Sequence, residues 1–434
     1  MKLFKITAVN VFTICFTLLS CNVFAAGSGS FRVEVPDAGA FGKGSAFVGE
    51  ANTPAAIYYN PAGLTQIKSA QVSVGNSVIA PQVNVKRGDG SKAKMERNVF
   101  NVPHMYAAVP VNKQLSLGFG ATSYFGLGTE WSGSSFAAYG NTKTALRNQD
   151  YMISAAYQVT DQWSLAIGPD IDISQANKQK KLYQASTDGN LELNATDQAV
   201  GFRLATMYKL NEQHSFGLMY RSPIQHKYHG KLYMDGLNNT PVLAGGAASY
   251  QGVFGGTSYE TRFTEKLKLP QSLVLGYSFK PTSKLTLNAD LEWMDWSSVD
   301  HEAVVWTDES DANRLAVLNS GNPASRDWKS VMSFALGAEY ALKDNLRVRT
   351  GYYHHNTPIP GSNFESNLPD SDSHGFTAGL GYDFNKNFTI DLAYSALVYE
   401  PRKVEDRSSP FVYDHNGKFT QFMNIALVTF TYKY

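Results

Sequence analysis

Histidines and carboxylates gather in one part of the chain, at His354, His355, Asp370, Asp372 and His374. Such side chains hold zinc or support hydrolysis when a regular spacing brings three or four of them to one point. Here they flank a single polar segment without ordered spacing, so neither chemistry is expected. Asp308, Glu309 and Asp311 could attract calcium, but the glycine and distal glutamate of a calcium loop are missing. "GAFGKGS" (Gly39 to Ser45) looks like a phosphate cradle until its spacing is read, because Lys43 is followed by Gly44 rather than Ser or Thr. Arg87-Gly88-Asp89 reads as a turn tripeptide, and no serine is marked as a nucleophile by its surroundings. Lys178, Lys180 and Lys181 form a local basic cluster in a chain whose formal net charge is +1, which gives no overall steering toward nucleic acid. The expectation is a protein that is not an enzyme and needs no cofactor or metal.

A second set of charges alternates with apolar residues. Arg203, Arg221, Arg347 and Arg349, against Asp170, Asp172, Asp290 and Glu292, are expected to form a network inside a polar lumen. What must position them is a set of β-strands. In "KLTLNADLEW", Leu285, Leu287, Ala289, Leu291 and Trp293 alternate with Thr286, Asn288, Asp290 and Glu292. "FTAGLGYDF" repeats the period of two, with Phe376, Ala378, Leu380, Tyr382 and Phe384 on one face. The chain holds 25 Phe, 24 Tyr and 36 Gly but, past its first residues, no apolar run long enough for a membrane helix. Aromatics, glycines and alternation together predict a membrane β-barrel, its apolar face toward lipid and its polar face inward.

The connections give the count. Short polar turns are expected near 111–114, 160–162, 211–214, 280–284, 343–345 and 385–387, and longer loops near 82–97, 126–149, 177–196, 230–258, 298–327, 356–373 and 401–417. Six turns and seven loops predict an all-β, 14-stranded antiparallel barrel, ending in "ALVTFTYKY" with its aromatic girdle.

The start of the chain reads as a cleavable signal peptide over residues 1–25. Lys2 and Lys5 precede an apolar stretch from Ala8 to Leu19, and Val23 and Ala25 fit the small-residue cleavage rule. Leu18-Leu19-Ser20-Cys21 offers an alternative, lipidation of Cys21. Both cysteines, Cys15 and Cys21, fall in this leader, so no disulfide framework is expected after cleavage. Residues 69–434 are assigned to the barrel. Residues 26–68 are left over, rich in small residues and short of alternation, and are expected to fold as short helices that plug the lumen.

The leftover segment carries a resemblance. "GKGSAFVGEA" followed by "YYNPAGL" is similar to the N-terminal hatch of the FadL family, outer-membrane transporters of long-chain fatty acids with relatives that admit toluene-like hydrocarbons. Asn60, Pro61 and Ala62 match its NPA motif. "HMYAAVPVNKQLSLGFGATSYFGLGTEW" (His104 to Trp131), "YKLNEQHSFGLMYRS", "LKLPQSLVLGYSF" and "LRVRTGYYHHNTPIPG" resemble later strands of the family in the same order. The resemblance implies passive uptake, without a nucleotide, of long-chain fatty acids or similar molecules at the bacterial outer membrane. Release would be sideways into lipid through a kink in the third strand. By matching positions the kink falls on Ser123, Tyr124, Phe125 and Gly126, with Asn60 facing it and bonding the backbone groups it leaves open. A substrate carboxylate would meet Lys180, with Lys178 and Lys181 as alternatives. A second basic position of the family falls on Ala303 here, and 177–196 is shorter than the helical loop of the best-known members, which leaves the substrate open. A toluene-like hydrocarbon channel is the main alternative; a lipid hydrolase and an open porin are further ones. Expected partners are the hydrophobic substrate, membrane lipid and lipopolysaccharide, with no nucleic acid, and a monomeric barrel.

Overall fold

A computed structural model describes residues 30–33, 36–96, 98–241, 248–405 and 416–434. The expected leader, with Cys15 and Cys21, lies outside the described residues. One antiparallel sheet closes on itself as 14 strands. They are β1 (Gln71–Lys86), β2 (Phe100–Pro110), β3 (Leu115–Thr122, resumed at Gly126–Glu130), β4 (Lys143–Gln158), β5 (Trp163–Leu182), β6 (Gly189–Lys209) and β7 (His214–Arg221, resumed at Ile224–Asp235). There follow β8 (Ser258–Leu269, resumed at Ser272–Phe279), β9 (Leu285–Met294), β10 (Val331–Lys343), β11 (Leu346–His355), β12 (Ser373–Asp383), β13 (Phe388–Tyr399) and β14 (Gly417–Lys433). β14 pairs with β1 from Gln71↔Lys433 to Lys86↔Lys418, which closes the sheet into a barrel.

Alternation sets which way each strand faces. On β9, Leu287 and Leu291 are exposed on the outer wall while Asn288, Asp290 and Glu292 are buried inside. On β12, Phe376, Leu380 and Tyr382 point outward likewise. This inverts the pattern of a water-soluble sandwich and matches a wall set in lipid.

The six short turns fall where the sequence predicts them. Several of the loops are shorter than the sequence predicts, strand running on to Lys86 and Asp235 in two of them. The expected loop at 177–196 is mostly wall, because β5 and β6 stay paired through Gln179↔Glu192 and Leu182↔Gly189 and only 183–188 connect them. Lys, Gln, Asn and Glu here line strands that outrun the apolar wall, so their polarity marks distance from lipid rather than absence of structure. For the same reason the expected loop at 126–149 begins with strand, at Gly126–Glu130.

Ahead of the barrel, α1 (Ala38–Phe41), α2 (Ala56–Tyr59) and a 3-10 turn (Pro61–Gln66) fill the lumen, every residue of α2 buried. Asp37 caps α1 by accepting from Ala40 N–H at 2.8 Å. Small residues in the segment meet small residues in the wall: a Cβ on Gly351 would come within 2.3 Å of Gly44 N, so both backbones need glycine. Lys43 Nζ lies 2.5 Å from Glu50, and Asn288 of β9 donates to the same carboxylate at 2.7 Å. Burial opposes the charge on Glu50, but Lys43 outweighs it and holds the carboxyl below the usual carboxylate range.

Candidate functional site

β3 is interrupted where the resemblance places the kink. Its first half pairs with β4 as far as Thr122↔Asp150, and its second half resumes at Gly126↔Arg147. Four steps along β3 thus match three along β4, the extra residue of a bulge. On its other side the ladder to β2 stops at Met105↔Ala121. Among the described residues these two edges next meet at the bridge Met95↔Trp131, beside Glu96 N–H donating to Glu130 O at 2.8 Å. Between those points the wall has a slit.

Two features close it. A Cβ on Gly128 would lie 2.6 Å from Cζ of Phe100, so the Phe100 ring covers a stretch of β3 that has no side chain of its own. The second closure comes from the hatch. Phe31–Val33 runs antiparallel to the break through the bridge Arg32↔Phe125. Gly126 N–H donates to Phe31 O and Val33 N–H to Tyr124 O, both at 2.8 Å. The backbone groups that the kink withdraws from β2 are thereby satisfied by the segment that plugs the barrel.

Side chains fix the kink from behind. Ser123 Oγ donates to Asn148 O at 2.6 Å, and Tyr124 N–H to Asp150 at 2.7 Å. Arg221 bonds both Asp150 and Asp170, the latter at 2.7 Å, and Arg203 shares Asp170 at 3.0 Å. Arg203 also donates to Ile57 O and Tyr58 O, at 3.2 and 3.3 Å, binding the C-terminal carbonyls of α2 to the wall. Arg32 pairs with Glu292 across the lumen. The expected charge network thus exists around Arg203, Arg221 and Asp170, but other members are spent elsewhere. Arg347 pairs with Asp383, Arg349 with Glu339 and Asp391, and Asp172 with Asn148 and His226. Asp290 caps hatch backbone, accepting from Phe47 and Val48 N–H at 2.8 and 3.0 Å.

The NPA motif sits away from the break, which corrects the expectation that Asn60 bonds the kink. Asn60 Oδ1 accepts from Ala62 N–H at 3.1 Å, while Nδ2 donates to Val48 O at 3.0 Å and to Thr206 O of β6 at 3.1 Å. Pro61 opens the 3-10 turn, and Ala62 O accepts from Ser164 of β5 at 3.0 Å. Capping its own turn fixes the direction of the Asn60 side chain, and that direction is toward β6. Of α2, Tyr58 reaches the kink, its ring 5.3 Å from that of Tyr124.

Behind the break lies a cavity of about 80 Å³. Phe31 and Leu127 form the wall it shares with the slit, and Leu146, Trp328, Ile359 and Leu368 are among its other apolar lining residues. Its charges are internally paired. Lys178 Nζ lies 3.0 Å from Glu302 and 3.7 Å from Glu265; Arg326 lies 2.8 Å from Glu302 and 2.9 Å from Glu365. Burial works against ionisation of Glu302, but Arg326 and Lys178 hold its carboxyl well below the usual range. Of the expected basic cluster, Lys178 lines this cavity; Lys180 and Lys181 are not among its lining residues. Phe31, Arg326 and Trp328 were not singled out from the sequence.

The other sequence candidates are not among the lining residues of this cavity. The rings of His354 and His374 lie 4.7 Å apart, Asp370 accepts from Ser30 N–H at 3.0 Å, and Asp372 accepts from Thr357 N–H at 2.8 Å. Asp308 accepts from Thr261 and Arg262, and Asp311 caps the helix Ala312–Leu318.

Relatives agree with this architecture. The long-chain fatty acid transport protein of Escherichia coli K12 is 24% identical, over 93% of this chain and 94% of that protein. A putative outer membrane protein of Neisseria meningitidis serogroup B is 23% identical over 96% and 98%. A Pseudomonas aeruginosa FadL homologue shares the fold with a TM-score of 0.79 at 16% identity, covering 93% of this chain and 99% of that one. The toluene transporter TodX of Pseudomonas putida gives 0.69 at 18% over 94% and 99%. The family described as outer membrane protein transport protein (OMPP1/FadL/TodX) matches residues 17–434. This chain therefore belongs to that family, as an outer-membrane transporter of hydrophobic compounds and not an enzyme.

Proposed function

We propose that the protein takes up hydrophobic small molecules by passive diffusion, holds them in the cavity behind β3, and releases them sideways into lipid through the break at Ser123–Gly126. The observation that carries this reading is the shared wall: Phe31 and Leu127 line the cavity and also belong to the slit and its seal. A lateral route has a physical advantage. At roughly 0.8 kcal/mol per CH₂, a chain of about seventeen such groups resists release into water by on the order of 13 kcal/mol. An exit into lipid avoids that barrier and needs no nucleotide. Relatives are named for long-chain fatty acids and for toluene, so both classes are substrates to test. Outer-membrane lipid, including lipopolysaccharide, is the receiving phase. A single barrel suffices, because cavity, seal and break lie in one chain.

The test is a reducible staple between the hatch and the break. Arg32→Cys with Phe125→Cys joins a bridged antiparallel pair that exchanges no backbone hydrogen bonds, whose Cα separation of about 4.5 Å suits a disulfide. With the barrel assembled in a Gram-negative host lacking its own FadL-type protein, uptake of labelled oleate and labelled toluene is followed with and without reductant. Oxidation should block uptake and reduction restore it. Uptake that continues through a verified disulfide would remove lateral release as the route.

A further inference from the structure

We infer that the cavity behind β3 seats an uncharged hydroxyl head, that of a fatty alcohol or a phenol, in preference to a carboxylate. The inference rests on the reading of this cavity as the substrate site, and it begins with charge. Among the described residues the cavity lining contains Lys178 and Arg326 against Glu265, Glu302 and Glu365. Both cations are already engaged, each between two carboxylates. A substrate carboxylate entering here would be a fourth anion beside two cations that three glutamates already share, so its buried charge would go uncompensated.

The second observation is a set of orphaned polar atoms on the same wall. Trp328 is 7% exposed and its Nε1–H has no hydrogen-bond partner. Nor has Nε–H of Arg326, 8% exposed, or Oδ1 of Asn367. Other polar groups of the lining are occupied: Tyr228 OH lies 2.5 Å from Ser174 Oγ, Thr144 donates to Asn141, and Asn363 donates to Ser325 O and Asp327. Buried polar groups in folded proteins are overwhelmingly satisfied, so orphans on residues that line this cavity point to a ligand that completes them. Two of these are donors and one is an acceptor. A hydroxyl accepts and donates at once; a carboxylate has nothing to give Asn367 Oδ1. Phe31, Leu127, Leu146, Ile359 and Leu368 supply apolar wall for the rest of the molecule.

Binding to the purified, folded barrel in detergent separates the possibilities, with dodecan-1-ol, dodecanoate and dodecane as probes at neutral pH. Dodecanol should bind at least about tenfold more tightly than dodecanoate, a difference of about 1.4 kcal/mol. Trp328→Phe keeps the ring and deletes the N–H, and should weaken dodecanol about three- to tenfold while leaving dodecane unchanged. Glu302→Gln releases Lys178 and Arg326 from a shared carboxylate and should raise dodecanoate affinity. Dodecanoate binding as well as dodecanol to the wild type overturns the inference, and so does a Trp328→Phe variant, folded by heat-modifiable mobility, with an unchanged alcohol-to-alkane ratio. Binding on purified protein is read independently of the cysteine staple, so failure of the hydroxyl preference and failure of lateral release are distinguishable. Weak binding of all three probes would instead reject the cavity as the substrate site, and the inference with it.

Discussion

The guanidinium of Arg221 lies 3.7 Å from the centroid of the Tyr124 ring, over the residue at which β3 breaks. The same side chain bonds Asp150 and Asp170, so one cation on β7 holds the kink by its ring and, with Arg203 on Asp170, ties down the two carboxylates. Arg221→Met should therefore destabilise the barrel by about 3–5 kcal/mol, because it strands buried charge. Arg221→Lys should recover part of this but not the planar contact. Chemical unfolding in detergent measures both; a methionine variant as stable as the wild type would show that the cluster does not anchor the break.

Asn60 anchors the hatch to β6 rather than to the kink. Asn60→Ala should assemble normally, lose about 1 kcal/mol of local stability with its cap, and speed hydrogen exchange across Ala56–Gln66. Uptake should fall as the hatch loses its register. Unchanged exchange and unchanged uptake in an assembled barrel would leave the motif an ordinary Asn-Pro turn.

Phe100 covers the glycine stretch of β3. Phe100→Ala should raise the influx of a small apolar dye into intact cells several-fold, with the fourteen-stranded wall preserved. Gly128→Ala, whose new methyl would sit 2.6 Å from the ring, should displace it and act in the same direction. If neither variant leaks, the ring is not the seal.

Asp370 joins the loop at 356–372 to the hatch, accepting from Ser30 N–H at 3.0 Å and from Thr357 Oγ1 at 2.5 Å. Burial pushes its carboxyl from 3.8 up to about 6. The folded chain then holds this proton more tightly than the unfolded one, so the penalty is absent below about pH 4, grows toward pH 6 and is complete above it. At about 1.4 kcal/mol per pH unit, the ionised group costs the fold at most about 3 kcal/mol. Asp370→Asn keeps an acceptor oxygen and removes the charge. It should melt higher than the wild type at pH 7.5 and together with it near pH 4; coincident melting at both values would contradict this account.

Much of this was legible in the sequence because a barrel wall is local: alternation names the face, and a turn needs only three or four residues. The position of the kink was legible from a motif and from glycine. What escaped was tertiary. Trp328 comes from the long connection between β9 and β10, and Asn367 from the one between β11 and β12, and they meet only across the lumen. Phe31-Arg32-Val33 alternates like the edge strand it becomes, but three residues beside a leader make too short a period to read. Asn60 was assigned the wrong neighbour because a motif specifies a corner and not the direction that corner faces.

A wall that borrows three residues from its own plug cannot be finished by zippering strands. β1 to β14 can pair in order and close, yet the break in β3 remains open until Phe31–Val33 docks on Tyr124–Gly126. Assembly therefore has two kinds of completion, one of topology and one of tightness. A chain arrested between them would count as folded by its strands while still leaking through its side.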